Sequence, residues 1–219
     1  MPNQDACPIV IRAAIRQAAG VNRPHWQYFL SLVDDVDRLS RFVDLSESNF
    51  GTHSVECTRI LLAAASEVDV VAKVLCERCE PGSAPRSIVE CGQILLAAHP
   101  GLTAVEVSIP RSGLDFVPWK DWTLTARPDW WTQYNDVKHE RHNYASEGNL
   151  RNALNAVAGL CVLVSYLDYD YVSRLNVHKP FFFISPRYKA QGKPLFASGT
   201  ALPDFADPPA TPDPPKTAS

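Results

Sequence analysis

Apolar side chains recur at steps of three and four along most of this chain, the spacing that gathers them on one face of an α-helix. From Asn22, placed to cap a helix ahead of Pro24, the stripe Phe29, Leu32, Val33, Val36, Leu39, Val43 predicts an amphipathic helix with Asp34, Asp35 and Asp37 largely opposite. Ser54 to Glu80 predicts a longer helix at the centre of the core, its inner face formed by Cys57, Leu61, Ala64, Val68, Val71, Leu75 and Cys79. Pro81-Gly82-Ser83 ends it. Pro85 can open the next helix, which turns Ile88, Cys91 and Leu95 inward and runs towards His99-Pro100. Ahead of all these, Cys7 to Ala19 reads as a short helix stopped by Gly20.

The period then changes to two. Val105, Val107 and Ile109 alternate, Pro110-Arg111-Ser112-Gly113 has turn chemistry, and Leu114 to Val117 can return as a partner strand, which predicts a small hairpin inserted between helices. Pro128 and Asp129 suit a first helical turn and predict a helix carrying Trp130 to His142. Asn149 can cap a last long helix in which Leu150, Leu154, Val157, Cys161, Val164 and Leu167 are joined by Ala153, Leu160 and Leu163 on neighbouring faces. A helix apolar on most sides is expected inside a core or inside a dimer.

Together these elements predict a mainly α fold: a helical bundle over 1–176 with a β-hairpin at about 103–118, an irregular basic and aromatic extension over 177–206, and a disordered proline-rich tail over 207–219. The 219 residues, 46% of them apolar, suffice for one domain with a real core. A net charge of -3 means that nucleic acid would have to be met by a local basic patch. The N-terminal segment lacks the order of a secretory signal, and the apolar run Ala153 to Leu167 falls short of a membrane span, so a cytoplasmic protein without a membrane partner is expected. The six irregularly spaced cysteines then read as small core residues rather than a disulfide framework.

Candidate chemistry concentrates on the helix after Pro128. At about 100° per residue, Trp131, Asn135, Lys138, His139 and His142 share one arc, expected to be free to act. Trp130, Tyr134, Val137 and Arg141 share another, expected to face the core. An imidazole moves protons near neutral pH, while Lys138 or Arg141 can hold a phosphate that Asn135 orients. Such a set can cleave RNA without metal by helping the 2′-hydroxyl attack the adjacent phosphate. The alternative is a solvated helix face, with Arg141 paired to Glu67 or Asp69.

The run WWTQYNDVKHERHNY, followed by NLRNALNAVAGLCVLVSYL, resembles the C-terminal part of HEPN-type domains, helical bundles of bacterial defence and toxin systems. The family's ribonuclease motif is an arginine, a polar residue that is often asparagine, three further residues and a histidine. Asn135 and His139 match its later part, and Tyr134 stands at the arginine position. The likeness covers the last two long helices and extends to the helix with Glu67, Asp69 and Lys73, but not to the hairpin or to residues beyond Asn176. It implies a homodimer with a composite site, RNA as substrate and a cognate antitoxin or other protein as partner. Two readings follow: a metal-independent endoribonuclease using His139, Asn135, Lys138, Arg141 and His142, or a non-catalytic module that binds RNA or protein after losing the motif arginine.

Other constellations carry less. Cys76 and Cys79, with Cys91 and His99 downstream, have part of a zinc spacing, but no second such pair exists and core packing accounts for them better. Lys179, Arg187 and Lys189 around Phe181-Phe182-Phe183 are candidate RNA contacts, against the alternative of an edge strand clamped onto its own domain. The Trp119/Trp122 and Trp130/Trp131 pairs read as anchors for neighbouring elements. There is no phosphate-binding glycine loop, dinucleotide fingerprint, nucleophile elbow or HExxH pair, and no cofactor is expected.

Overall fold

The computed structural model describes residues 22–169, together with the backbone of two short strands at 185–188 and 193–194. The helix expected over Cys7 to Ala19 and the proline-rich tail lie outside the described residues.

Helix α1 spans Pro24–Leu39 and buries Phe29, Leu32, Val33, Val36 and Leu39, as its stripe requires. Arg23, not Asn22, is the capping residue, and no side chain caps this end. With Pro24 in the first turn, one of the N–H groups a cap would serve is missing. Val43 lies beyond the helix, half-buried against the core. Helix α2 spans Val55–Cys79; Ser54 caps it, its Oγ accepting from the Cys57 N–H at 3.0 Å. Cys79, expected on the inner face, is exposed because the helix ends there and its last turn projects past the core.

Helix α3 spans Ile88–Ala98 and turns Ile88, Cys91 and Leu95 inward. Ser87 starts it rather than Pro85: its hydroxyl accepts from Glu90 N–H, and the Glu90 carboxylate reaches back to Arg86 N–H at 2.8 Å. This is close to the reciprocal exchange of a capping box. Strands β1, Val105–Ile109, and β2, Leu114–Phe116, pair antiparallel with Ile109 opposite Leu114. Gly113 closes their turn at φ +68°, a conformation that favours glycine.

The other edge of β1 is covered by β3, Ser185–Tyr188, which in turn pairs with β4, Lys193–Pro194, giving one antiparallel sheet ordered β2-β1-β3-β4. The extension over 177–206 is therefore not wholly irregular. An exposed edge of β1 would leave a row of backbone groups unpaired, and a later segment supplies their partners.

Helix α4 spans Asp129–Glu140 and α5 spans Leu150–Leu167. As expected, Asn149 caps α5, its Oδ1 accepting from Asn152 N–H at 3.0 Å. Helices α2 and α5 run parallel as the central pair. At their starts Leu150 N–H donates to Thr52 O at 2.9 Å and Ser54 N–H to Gly148 O at 3.3 Å; at their ends Arg78 donates to Leu167 O at 2.6 Å. Helix α1 lies antiparallel to α2, since His25 meets Glu67 while Asp35 meets Arg59.

By length and composition α5 is apolar enough to cross a membrane, yet nearly all of it is buried inside the fold. Its neighbours α1, α2, α4 and the sheet cover it. The seam that suggested a dimer through this helix is thus filled from within the chain.

Four tryptophans lock α4 in place. Trp119 and Trp122 lie 4.5 Å apart between ring centroids, and Trp130 meets Trp119 edge-on at 5.4 Å. Three of the buried indole N–H groups donate to carbonyls: Trp119 to Gly159 O, Trp122 to Ile88 O and Trp130 to Pro118 O. Satisfying these donors avoids the desolvation cost of an unpaired buried N–H, while the rings supply the apolar area.

Candidate functional site

Helix α4 sorts its side chains differently from the arcs expected of it. Trp130, Tyr134 and Val137 are buried, as predicted, but so is Trp131, which had been placed on the free arc. The indoles of Trp130 and Trp131 meet edge-on at 5.5 Å, and Trp131 meets the Tyr134 ring at 5.1 Å. A short helix clasped by the aromatic segment before it as well as by α2 and α5 is covered over more than one face.

Asn135 is half-buried and turns its amide inward, Nδ2 donating to Trp131 O one turn back at 3.0 Å. Lys138 is exposed, with Nζ 5.4 Å from the centre of the Tyr134 ring, in cation–π range. His139 is exposed on the last turn.

Arg141 and His142 fall outside the helix, in the turn that follows Glu140, and both are exposed. Extending the helical wheel through Arg141 had set it against the core. Because α4 stops at Glu140, that rotation no longer applies. Nor does Arg141 meet Glu67 or Asp69, which bind His25 and Lys73 respectively.

Among the described residues, Lys138, His139, Arg141 and His142 join no ion pair. The nearest carboxylate in sequence, Glu140, is engaged by Asn143 Nδ2 at 3.0 Å. Four basic or imidazole side chains thus stand at the negative end of a helix dipole, which favours them there without neutralising them. Such a surface can hold phosphates.

Of the extension residues, Lys179 and Lys189 lie outside the described residues. Arg187 sits in β3 at the register position opposite Glu106. Among the described residues, no group of three or more His, Cys, Asp and Glu is arranged to hold a metal ion. Cys76 donates its thiol to Cys91 O at 3.7 Å, and the bond to Cys91 together with burial pushes its ionisation well up. The Cys79 Sγ lies 3.7 Å from His99 Nε2, and burial pushes that thiol up as well, which disfavours a thiolate.

A second charged cluster, not anticipated from the sequence, occupies the opposite end of the bundle. His25 Nδ1 lies 2.6 Å from Glu67 Oε1, Arg23 Nε lies 3.6 Å from Asp168 Oδ1, and Arg78 reaches over the end of α5. Burial raises Asp168, while Arg23, Arg78 and His25 draw it back down. One signal was available: Glu67, with Asp69 two residues on, interrupts a small and apolar stretch of α2. Its partner, 42 residues away, is set only by the antiparallel packing of α1.

Comparison with protein-family models, with curated proteins and with solved structures finds no match for this chain.

Proposed function

We propose that this chain is a HEPN-like helical bundle that binds RNA through the basic end of α4, without cleaving it. The observation that carries this reading is Tyr134: it stands where the resemblance calls for an arginine, and it is packed into the aromatic core beside Trp131. A ribonuclease of that type needs its arginine next to the histidine on the open side of the helix. Here the cations near His139 are Lys138, drawn over the Tyr134 ring, and Arg141, beyond the helix end. Asn135, the expected phosphate-orienting group, already donates to its own helix. What remains is an exposed cluster of Lys138, His139, Arg141 and His142, a phosphate-contacting surface that positions a backbone without reading bases.

The endoribonuclease reading rests on His139, which is exposed and available for proton transfer. One experiment separates the two. A mixed RNA pool is incubated with chelator and wild-type protein, Lys138→Ala/Arg141→Ala or His139→Ala, and both retention and product ends are measured. The binding module retains RNA, loses affinity in the double variant for all sequences alike with a shallower salt dependence, and cuts nothing. Cutting by wild type that is lost in His139→Ala and leaves cyclic phosphate ends establishes the enzyme instead. RNA retention unaffected by the double variant removes the basic end of α4 from the function.

A further inference from the structure

The charged cluster at the far end of the bundle draws on three helices and is not needed by the α4 surface. His25 lies in the first turn of α1, Glu67 and Arg78 are on α2, and Asp168 follows the last residue of α5. Arg23 closes the group from the residue before α1. Glu67 accepts from His25 Nδ1, which fixes the ring and leaves Nε2 pointing away from the carboxylate. The imidazole is partly open, with a side-chain exposure of 23%. The Arg78 side chain is exposed and spends one N–H on Leu167 O, leaving the rest of its fork for a ligand.

We propose that His25 and Arg78, with Arg23 behind them, form a second oxyanion site that takes a phosphate group. The roles follow from the donors. Since Nδ1 is engaged by Glu67, Nε2 is the ring nitrogen left to meet an anion, and it donates when the ring carries both protons. Arg78 supplies a planar fork suited to two phosphate oxygens. Asp168 is the opposing charge in the cluster, and Arg23 neutralises it at 3.6 Å. With His25 protonated, the three cations His25, Arg23 and Arg78 outnumber the two carboxylates Glu67 and Asp168, which leaves the cluster with a positive excess that favours an anion.

The phosphate can belong to an RNA end or be free in solution. The test uses full-length protein labelled with 15N-histidine, the His25 ring signals being identified by their loss in His25→Gln. Inorganic phosphate, a short 5′-phosphorylated RNA and the same RNA with a 5′-hydroxyl are titrated separately, with chloride matching ionic strength. Saturable shifts of the His25 signals with phosphate, and a rise in the pH at which the ring titrates, are expected. Arg78→Ala, a change at an exposed side chain, should weaken binding roughly tenfold. A tighter response to the phosphorylated RNA than to free phosphate identifies a terminal phosphate as the ligand; equal responses identify the free ion. His25 signals that move no more with either phosphate probe than with chloride, or that respond equally in Arg78→Ala, overturn the site. The readout belongs to this end of the bundle and is independent of whether α4 binds RNA.

Discussion

The indole N–H of Trp119 donates to the carbonyl oxygen of Gly159 at 3.1 Å, in the middle of α5. That approach leaves little room for a side chain at Gly159. A Cβ built at Gly159 would sit 3.0 Å from Trp130 Cζ2 and 3.2 Å from Trp119 Cζ2, and both rings are held by their own hydrogen bonds. Alanine would gain about 1 kcal/mol in helix propensity, but overpacking two fixed rings costs about 1–3 kcal/mol. Gly159→Ala should therefore lower the urea midpoint, with α4 losing amide protection first. A higher midpoint would mean that the tryptophan cluster yields more readily than its bonding implies.

Placing an arginine where the proposed HEPN likeness calls for one should not create a site. Tyr134→Arg replaces a buried ring with a charge in the aromatic core, close to Lys138. Loss of aromatic burial and an unpaired charge should destabilise the fold by roughly 3 kcal/mol. Denaturant unfolding measures the loss. A folded variant that gains RNA cleavage would show that the arginine was the sole missing part.

Thiol chemistry should distinguish Cys79. Among the described cysteines it is the exposed one, whereas Cys57, Cys76, Cys91 and Cys161 are buried. Mass spectrometry after native alkylation should find label on Cys79 and none on the other four. Because burial pushes the Cys79 thiol up, the labelling rate should still be climbing above the ordinary thiol range. Rapid labelling at neutral pH would indicate that His99 activates it.

Asp168 should leave a signature in the pH dependence of stability. Burial, the largest influence, raises its ionisation point in the folded protein, so the folded state holds this proton more tightly than the unfolded chain does. The sign follows: stability falls as pH rises from the ordinary aspartate value through the raised one. Asp168→Asn should remove that fall. The check is the difference between the two proteins' unfolding midpoints across this window. A parallel pair of curves would mean that Arg23, Arg78 and His25 offset burial fully.

Much of the fold was legible in local pattern. The inner faces of α1, α2, α3 and α5, the hairpin of β1 and β2, and the cap at Asn149 depend on residues a few positions apart, where periodicity and capping chemistry speak directly. The order of α4 along the chain was legible too. Its exposed face was not, since helical spacing says which residues share a side and leaves open how many sides are covered. Trp131 is buried where its ring meets those of Trp130 and Tyr134, and Arg141 is exposed where the helix ends one residue before it.

The sequence by itself determined that this is a mainly helical chain with an inserted hairpin and a run of basic and imidazole side chains near residue 139, because burial periodicity and charge are properties of neighbouring positions. Only the tertiary structure decided that α5 is enclosed by its own chain, that a later segment extends the hairpin into a larger sheet, and that His25 meets Glu67 while Arg23 meets Asp168. Those relationships join residues tens of positions apart, and their partners are chosen by helix direction and packing, which no local pattern encodes.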